Sequence, residues 1–155
     1  MTDGTAVTIR PATRADVPAI VALFADDVLG GHGDTADPAA LPDYLAAFDR
    51  IAASPCDTLF VAELDGRIVG TFQITLTTAM TGRGRPVLTI EAVQTAAAMR
   101  GQGIGAAMVR HAVGEGRKAG ARLVQLMSNK TRADAHRFYE RLGFARSHEG
   151  FKLKL

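Results

Sequence analysis

The sequence has 155 residues, of which 47% are hydrophobic and 22% are charged. These values are ordinary for a globular protein and allow one domain over residues 1–155 with a sizeable core. The net charge is only +2, no block of about five like charges occurs, and no apolar run reaches the roughly 18 residues of a membrane span. We therefore expect neither nucleic acid nor a membrane as a partner.

Cysteine usage and the first residues bear on compartment and metal binding. The single cysteine, Cys56, excludes an intrachain disulfide. No Cys-x-x-Cys pair or His/Cys cluster is present, so no metal site is expected. Residues 1–4 (MTDG) lack a basic stretch followed by an apolar one, so we expect no secretory signal and a cytoplasmic protein.

The first part of the chain predicts a short strand and two helices. Residues 7–10 alternate as a strand does, and Pro11 ends it. Thr13 and Asp16 have the spacing of a capping box, with Asp in place of the usual Glu or Gln. Two sets of apolar residues at helical spacing then follow, one on either side of a glycine-rich interruption at 30–34. These sets are Val17, Ile20, Val21 and Phe24, and then Tyr44, Leu45, Phe48 and Ile51.

The rest of the chain predicts mostly strands, with two more helices. The strands are predicted at 58–63, 68–77, 87–95 and 123–127, the last of a buried type, and at 144–146 and 151–155. Asp65-Gly66 is a hairpin signal between the first two of these. The helices are predicted at 103–118, ending before Gly120, and at 133–142, stopped by Gly143.

The predicted order is β-α-α-β-β-β-α-β-α-β-β. A helix crosses between the strands near residues 88 and 123, which favours one parallel pair in an otherwise antiparallel sheet. The sequence therefore predicts an α/β (α+β) fold with a mixed, mostly antiparallel central sheet and flanking helices.

A glycine-rich turn, residues 100–105 (RGQGIG), joins a predicted strand to a predicted helix. Glycines let a backbone approach a ligand closely, and the first free N–H groups of a helix point at an anion. The turn therefore predicts a phosphorylated ligand. Its spacing differs from the dinucleotide G-x-G-x-x-G pattern, whose acidic residue would fall at Arg122 or Leu123, and from a P-loop, which needs Gly-Lys-Ser/Thr.

Three stretches carry a resemblance to a known family. The turn reads Arg-x-x-Gly-x-Gly, and residues 135–144 (AHRFYERLGF) read Ala-x-x-Phe-Tyr-Glu-x-Leu-Gly-Phe. With residues 9–16 (IRPATRAD), they resemble the GNAT superfamily of N-acetyltransferases over nearly the whole chain, in the same order. The resemblance implies the acyl-CoA N-acyltransferase fold. It also implies transfer of acetyl from acetyl-CoA to an amine by direct attack, without an acetyl-enzyme.

The resemblance also assigns the cofactor contacts. The pyrophosphate would bind the glycine turn, and pantetheine would pair with the end of the preceding strand, where a backbone N–H polarises the thioester carbonyl. The cofactor-binding residues so implied are Val93, Gln94, Thr95, Arg100, Gly101, Gln102, Gly103, Ile104, Gly105, Ala106 and Phe138.

Two side chains are the catalytic candidates. Tyr139 matches the family's tyrosine, which donates a proton to the leaving thiolate; the alternative is packing beside Phe138 and Leu142. Glu91 interrupts an apolar strand just before the acetyl-binding segment and is the candidate general base, directly or through water. Its alternatives are a salt bridge, for instance with Arg85, or a partly exposed edge.

The sequence departs from the family at one position. Many members carry Asn seven residues before the tyrosine, where this chain has Arg132, and Asn129 lies ten before. The Ala-His-x-Phe-Tyr pattern is similar to aminoalkylphosphonate and related small-amine acetyltransferases. We expect Arg132 or Asn129 to contact the coenzyme instead, the alternative for Arg132 being a solvated helix start. His136 and His111 are expected to pack, and His32 and His148 to be exposed. The alternatives are that His136 contacts the cofactor or the substrate and that His32 reaches the substrate.

The expected acceptor is a primary amine, more on a small metabolite than on a protein. Its pocket is expected from residues 25–44, 77–85 and 145–151, where Arg83, Arg85 and Arg146 would bind an anionic group or serve as surface charges. A protein acetyltransferase and a non-catalytic acyl-CoA sensor remain alternatives. A homodimer is also left open.

Overall fold

The computed structural model describes residues 6–27 and 32–155, so the predicted interruption at 30–34 lies partly outside the described residues. The strands are β1 Thr8–Pro11, β2 Asp57–Leu64, β3 Arg67–Thr77, β4 Val87–Thr95 and β5 Leu123–Leu126. The helices are α1 Val17–Ala25, α2 Leu41–Ala53, α3 Ile104–Lys118 and α4 Ala133–Arg141. Short 3₁₀ turns occupy Arg14–Asp16, Pro38–Ala40, Thr81–Gly84 and Ala97–Met99.

The five strands form one sheet in chain order, β1-β2-β3-β4-β5. The first three pairs are antiparallel, whereas β4 and β5 are parallel and connected through α3. A parallel neighbour needs a crossover, because a tight turn can return the chain only in the opposite direction. The mixed, mostly antiparallel sheet and its one parallel pair are thus confirmed.

Local turn and capping residues form the hairpin between β2 and β3 and the start of the first helical segment, as predicted. Asp65 and Gly66 both adopt positive φ, at 50° and 74°, the conformation that two-residue hairpin loops require. At the start of the first helical segment, the backbone N–H of Thr13 donates to the carboxylate of Asp16 at 2.7 Å. The capping box is therefore present.

The core lies where α3 crosses the sheet. Phe72, Leu88 and Met108 are each 0% exposed and belong to one apolar cluster. Val17, Ile20 and Val21 of α1 are buried outside that cluster, and α1 contacts β3. Helices thus cover the centre of the sheet, as the apolar periodicity predicts, because each stripe gains by leaving water.

Two predictions about the C-terminal third were wrong. The strand at 123–127 is not of a buried type: Leu123 is 38% exposed and Met127 68% exposed, because β5 lies at the edge of the sheet and pairs with β4 alone among the described residues. No strand forms at 144–146 or 151–155. Alternating sequence alone does not make a strand, since its peptide groups need a partner edge.

Candidate functional site

The glycine turn before α3 is open to an incoming ligand. Gly101 and Gly103 adopt φ of 76° and 82°, which side chains with a Cβ rarely tolerate. A Cβ at either residue would meet nothing within 4 Å. No described residue therefore packs against the turn at these two positions, and the two glycines are needed for backbone shape rather than for internal packing.

The start of α3 leaves backbone donors free. Its first helical hydrogen bond runs from the N–H of Ala107 to the carbonyl of Gly103 at 3.0 Å. The N–H groups of the three preceding residues, 104–106, consequently have no partner inside the helix. Arg100 and Gln102 are exposed beside them. Free donors at a helix start, next to a guanidinium, form an anion site.

Gly105 has a different role from the other two glycines of the turn. A Cβ there would lie 3.3 Å from Cζ of Phe138 and 3.7 Å from Oγ1 of Thr95. Gly105 therefore lets α3 approach α4 and the end of β4. Phe138, predicted to contact the cofactor, packs against this glycine, and Thr95 lies next to it.

Strands β4 and β5 separate beyond their first four residue pairs. Their pairing runs from Val87 opposite Leu123 to Ile90 opposite Leu126. β5 then ends, whereas β4 continues to Thr95. Residues 91–95 of β4, which include the predicted Val93 and Gln94, therefore have no strand neighbour on this side among residues 6–27 and 32–155. An extended ligand can add to such an edge by backbone hydrogen bonds.

A bulge interrupts β4 at this point. Ala92 has φ of 51°, and the register with β3 shifts between Thr71 and Gln73. Positive φ is uncommon for a residue with a Cβ, and such strain concentrates at functional sites. The bulge turns the backbone at the position where the two parallel strands part.

A cavity of about 670 Å³ lies beside this bulge. Three acidic side chains, Asp27, Asp34 and Glu91, line it together with His32 and Lys152. Apolar lining comes from Phe24, Ile90 and Met127. The cavity is of the size that small ligands occupy, and its acidic side chains favour a cationic one.

Glu91 lies in the cavity wall and is exposed. It stands opposite Gln73 of β3. Within residues 6–27 and 32–155 its carboxylate forms no ion pair, and Arg85 instead donates to the carbonyl of Ala121 at 3.5 Å. An exposed carboxylate facing the cavity is available to accept a proton from a ligand there.

Asp27, in the wall of the cavity, connects three elements of the fold. Its carboxylate accepts hydrogen bonds from Nε2 of Gln94 at 2.7 Å and from Nη2 of Arg132 at 3.0 Å. The Asp27 side chain is only 11% exposed and that of Arg132 is 31% exposed. This bridge fixes the end of α1 against β4 and the start of α4. The guanidinium of Arg132 is thus held by Asp27, rather than solvated.

Asn129 and His136 shape the turn before α4. The side-chain oxygen of Asn129 accepts from the N–H of Thr131 at 3.0 Å and from its hydroxyl at 2.8 Å. Nε2 of His136 lies 2.9 Å from the carbonyl oxygen of Asn129. Both side chains are thereby engaged in local structure.

Tyr139 lies on the inner side of α4. Its ring meets those of Phe138 and Phe144 edge to face, with centroids 5.0 and 5.9 Å apart. Burial raises the pKa of Tyr139, and the positive charge of Arg132 lowers that pKa to a lesser extent. The phenol therefore holds its proton across the neutral range, as a proton donor must.

The other predicted side chains are dispersed. His111 packs edge to face on Phe60, with ring centroids 5.1 Å apart. His148 contacts the hydroxyl of Ser147 at 2.7 Å and is exposed. Residues 77–85 and 145–151 do not line the cavity, and neither do Arg83, Arg85 or Arg146. The part of the expected acceptor wall formed by these residues lies outside this cavity and stays a prediction.

Sequence reasoning missed one pairing and two lining residues. Asp27 and Arg132 are 105 positions apart, and no local pattern predicts that they pair. Met127 and Lys152 reach the cavity through tertiary placement alone. In the described ranges, no group of three His, Cys, Asp or Glu side chains is arranged to hold a metal ion. None of the described helices has the length and apolar character needed to cross a bilayer.

Comparisons with known proteins agree with this geometry. Residues 19–144 match the model of the acetyltransferase (GNAT) family. A structure described as a transcriptional regulator from Bacillus halodurans C-125 is 42% identical, covers 97% of this chain and 100% of its own, and superposes with a TM-score of 0.93. A putative acetyltransferase from Agrobacterium tumefaciens str. C58 is 30% identical over 96% of this chain and 99% of its own, with a TM-score of 0.83.

A further match is local. The aminoalkylphosphonate N-acetyltransferase of Salmonella typhimurium (strain LT2) is 51% identical over 53 residues. That match spans 34% of this chain and 34% of the relative. About two thirds of each protein therefore lies outside this match.

Proposed function

Because this chain belongs to the GNAT family of acetyltransferases, we propose that it transfers the acetyl group of acetyl-CoA to a primary amine on a small molecule. One observation carries the proposal: an open glycine turn at the start of α3 lies next to the unpaired end of β4. An anion site and a free strand edge side by side suit a ligand with a pyrophosphate and an extended amide arm.

The residues at this place fit acetyl-CoA. Gly101 and Gly103 leave open space over free helix N–H groups, and these donors with Arg100 would bind the pyrophosphate. The backbone of residues 93–95 would pair with the pantetheine amides. Backbone N–H groups at the bulge would polarise the thioester carbonyl. Two residues before α4, Arg132 and Asn129, would form one side of the coenzyme site, and Asp27 holds the Arg132 side chain in place.

The acceptor amine would occupy the cavity beside the bulge. Its volume of about 670 Å³ suits a small molecule. The carboxylates of Asp34 and Glu91 in its wall favour an acceptor that arrives as an ammonium ion. A protein substrate would need a long open groove rather than a pocket lined by these few residues.

The residues supply two proton transfers. Glu91 takes a proton from the ammonium, directly or through water, and passes it to solvent. The freed amine nitrogen attacks the carbonyl carbon, so that a C–N bond forms as the C–S bond breaks. Tyr139, whose pKa is raised by burial, gives its proton to the departing sulfur, and coenzyme A leaves as a thiol. The proton that the attacking nitrogen loses as the amide forms restores the Tyr139 phenol, directly or through water.

A second candidate function is binding of acyl-CoA without turnover. The relative from Bacillus halodurans, 42% identical, is described as a transcriptional regulator. In that role the glycine turn would still bind the coenzyme, and the cavity would serve to sense rather than to react. The two functions differ in whether an amine stimulates thiol release.

A panel of amines tests the proposal. The panel contains small mono- and diamines, aminophosphonates and lysine peptides, and the readout is coenzyme A thiol released from acetyl-CoA. We expect small amines to stimulate release and peptides to do so poorly. Melting temperature with and without acetyl-CoA is measured in parallel, because a ligand of the native state stabilises it.

Two variants make the panel specific for the site. Glu91→Gln should lower amine-dependent release at neutral pH and keep the melting shift with acetyl-CoA. Glu140→Gln, an exposed acid on α4 that does not line the cavity, should behave as the parent. A melting shift with no amine stimulation anywhere in the panel would favour the sensor. No melting shift at all would refute the coenzyme site.

A further inference from the structure

One wall of the cavity is formed by the segment that precedes α2. His32, Gly33 and Asp34 of this segment line the cavity. Residues 32–37 form neither a helix nor a strand before the 3₁₀ turn at Pro38–Ala40. The position of this wall therefore depends on hydrogen bonds that side chains make with the segment.

Tyr44 of α2 supplies hydrogen bonds to this segment. Its hydroxyl donates to Oδ1 of Asp34 at 2.8 Å and accepts from the backbone N–H of Thr35 at 3.2 Å. The bond from Thr35 lowers the pKa of Tyr44, but burial and the Asp34 carboxylate raise that pKa, and the net shift is upward. The phenol therefore keeps its proton and remains a donor to Asp34.

The neighbouring hydrogen bonds hold the backbone but not the Asp34 carboxylate. The hydroxyl of Thr35 accepts from the N–H of Asp37 at 3.1 Å, and the Asp37 carboxylate accepts from the N–H of Ala39 at 2.9 Å. Among the described residues, the hydroxyl of Tyr44 is the group that forms a hydrogen bond with the Asp34 carboxylate. Tyr44 thus fixes where this carboxylate lies in the cavity wall.

The charge of Asp34 is not neutralised by a neighbouring side chain. Within residues 6–27 and 32–155 it forms no ion pair, and Lys152, which also lines the cavity, pairs with neither Asp34 nor Glu91. Asp27 of the same cavity differs, because it is paired with Arg132. A carboxylate without a basic partner in the wall of a cavity attracts a cationic group of a ligand.

The reacting nitrogen is not the cation that suits Asp34. An amine attacks only after it has lost a proton, and Glu91 removes that proton in the proposed reaction. A second carboxylate beside the same nitrogen would stabilise its charged form and oppose the proton transfer. Glu91 belongs to β4, whereas Asp34 belongs to the segment before α2. A group of the acceptor that stays charged is therefore the better partner for Asp34.

We propose that Asp34 is a specificity-determining residue that binds a second ammonium group of the acceptor, and that Tyr44 is the positioning residue that holds Asp34 in place. The inference rests on the proposed acetyl transfer and narrows its acceptor to a diamine. One nitrogen reacts beside Glu91, and the other stays protonated at Asp34. Lys152 would instead favour an anionic group, so an aminoalkylphosphonate is the opposing class of acceptor.

Matched acceptors test for the second ammonium group. Short α,ω-diamines are compared with the n-alkylamine and the aminoalkylphosphonate of the same carbon chain, and kcat and KM for thiol release are measured for each. We expect the diamine to exceed the alkylamine in kcat/KM by about tenfold, mainly through a lower KM, because a hydrogen bond to a charged group has about this effect. Equal use of the two, or a preference for the aminoalkylphosphonate, would overturn the proposal.

Variants assign the preference to the two residues. Asp34→Asn should lower the diamine-to-alkylamine ratio of kcat/KM by about tenfold, and Tyr44→Phe by about threefold, since the carboxylate remains but is no longer held. In the double variant, Tyr44→Phe should lower the ratio no further, because it acts through Asp34. Asp43→Asn, an exposed acid next to Tyr44 that does not line the cavity, should keep the parental ratio.

The same variants distinguish positioning from a merely structural contact. A loss of melting temperature in Tyr44→Phe together with the parental ratio would mean that the hydroxyl only stabilises the fold. A parental ratio in Asp34→Asn, or an equal loss in Asp43→Asn, would remove Asp34 as the binding residue.

Binding without turnover separates this proposal from the proposed function. Isothermal titration calorimetry measures the affinity of the diamine and of the alkylamine for the parent and for Asp34→Asn, with coenzyme A present. Tighter binding of the diamine that depends on Asp34, with no amine acetylated, would refute acetyl transfer and leave the ammonium site standing. Acetylation of amines without a preference that depends on Asp34 would leave the transfer standing and refute the ammonium site.

Discussion

The phenol of Tyr139 is the general acid in the proposed reaction. We predict that Tyr139→Phe keeps the melting shift with acetyl-CoA and slows thiol release. The ring still packs on Phe138 and Phe144, and only the proton is lost. General acid catalysis is worth about 10²–10⁴-fold when proton transfer limits the rate, and less when amine attack limits it.

A comparison of leaving groups sharpens this test. The Phe variant should discriminate more strongly than the parent against an acyl donor with a more basic thiol. Because burial raises the pKa of Tyr139, the parent should also keep its activity into the mildly basic range. Equal sensitivity to the leaving thiol in both proteins, with unchanged turnover, would assign Tyr139 to packing alone.

Asp16 is a residue whose contribution concerns stability. Its hydrogen bonds with Arg10 lower its pKa from 3.8 to about 2. A depressed carboxyl pKa stabilises the fold fully above the unfolded value of 3.8, and this contribution is lost as the pH falls through about 2. We predict that Asp16→Asn costs about 1–2 kcal/mol at neutral pH, with partial exposure of Arg10 taken into account.

Urea unfolding at several pH values measures this effect. The difference between parent and Asp16→Asn should shrink as the pH falls from 3.8 towards about 2. Asp49→Asn is the matched control, because its ion pair with Arg14 is 57% and 59% exposed, and about 0.5 kcal/mol or less is expected. A pH-independent loss in Asp16→Asn would mean that its charge contributes nothing.

At the scale of elements, α3 contains two glycines that test how it packs. A Cβ at Gly116 would lie 2.9 Å from Cγ2 of Val124 in β5, whereas one at Gly114 meets nothing within 4 Å. Gly114→Ala should therefore raise the free energy of unfolding by up to about 1 kcal/mol through helix propensity. Gly116→Ala gains the same propensity but must push β5 away.

Thermal or urea unfolding of the two alanine variants decides the point. We expect Gly116→Ala to be less stable than Gly114→Ala by about 1 kcal/mol or more. Since both substitutions are identical and lie in one helix, the difference reports the contact with Val124. Equal stability would mean that α3 and β5 are not as close as described.

Elements with their own local signals could be predicted from the sequence. The hairpin at Asp65-Gly66, the capping box at Thr13 and the boundaries of β4 each depend on nearby residues, and each is confirmed. The prediction of strands at 144–146 and 151–155 was wrong, because a strand forms only where two segments pair. A period-two pattern indicates that a segment can form a strand, but it does not indicate which strand edge is available to pair with it.

The candidate site also contains features that the local sequence predicts and features that it does not. The glycine turn carries its conformational requirement in its own residues, so Gly101 and Gly103 could be singled out from the sequence. The bridge between Asp27 and Arg132 could not, because 105 positions separate the two residues. The positive φ of Ala92 had no sequence signal, since neither glycine nor asparagine stands there.

At the scale of the whole molecule, the proposed function depends on the parting of two parallel strands. β5 ends at Leu126 and β4 continues to Thr95, so the strand edge proposed for the coenzyme and the cavity proposed for the acceptor meet at one bulge. With both substrates at this place, the chemistry needs no covalent attachment to the protein. Acetyl should pass from sulfur to nitrogen in one site.

A single-turnover experiment tests this account most directly. Protein in excess over acetyl-CoA is mixed with the best amine from the panel, and both the protein and the small molecules are weighed by mass spectrometry. We predict N-acetylated amine equal to the coenzyme A released, and no acetylated protein when the amine is omitted. An acetyl adduct formed without amine and then passed to it, or thiol release without N-acetylated product, would contradict direct transfer.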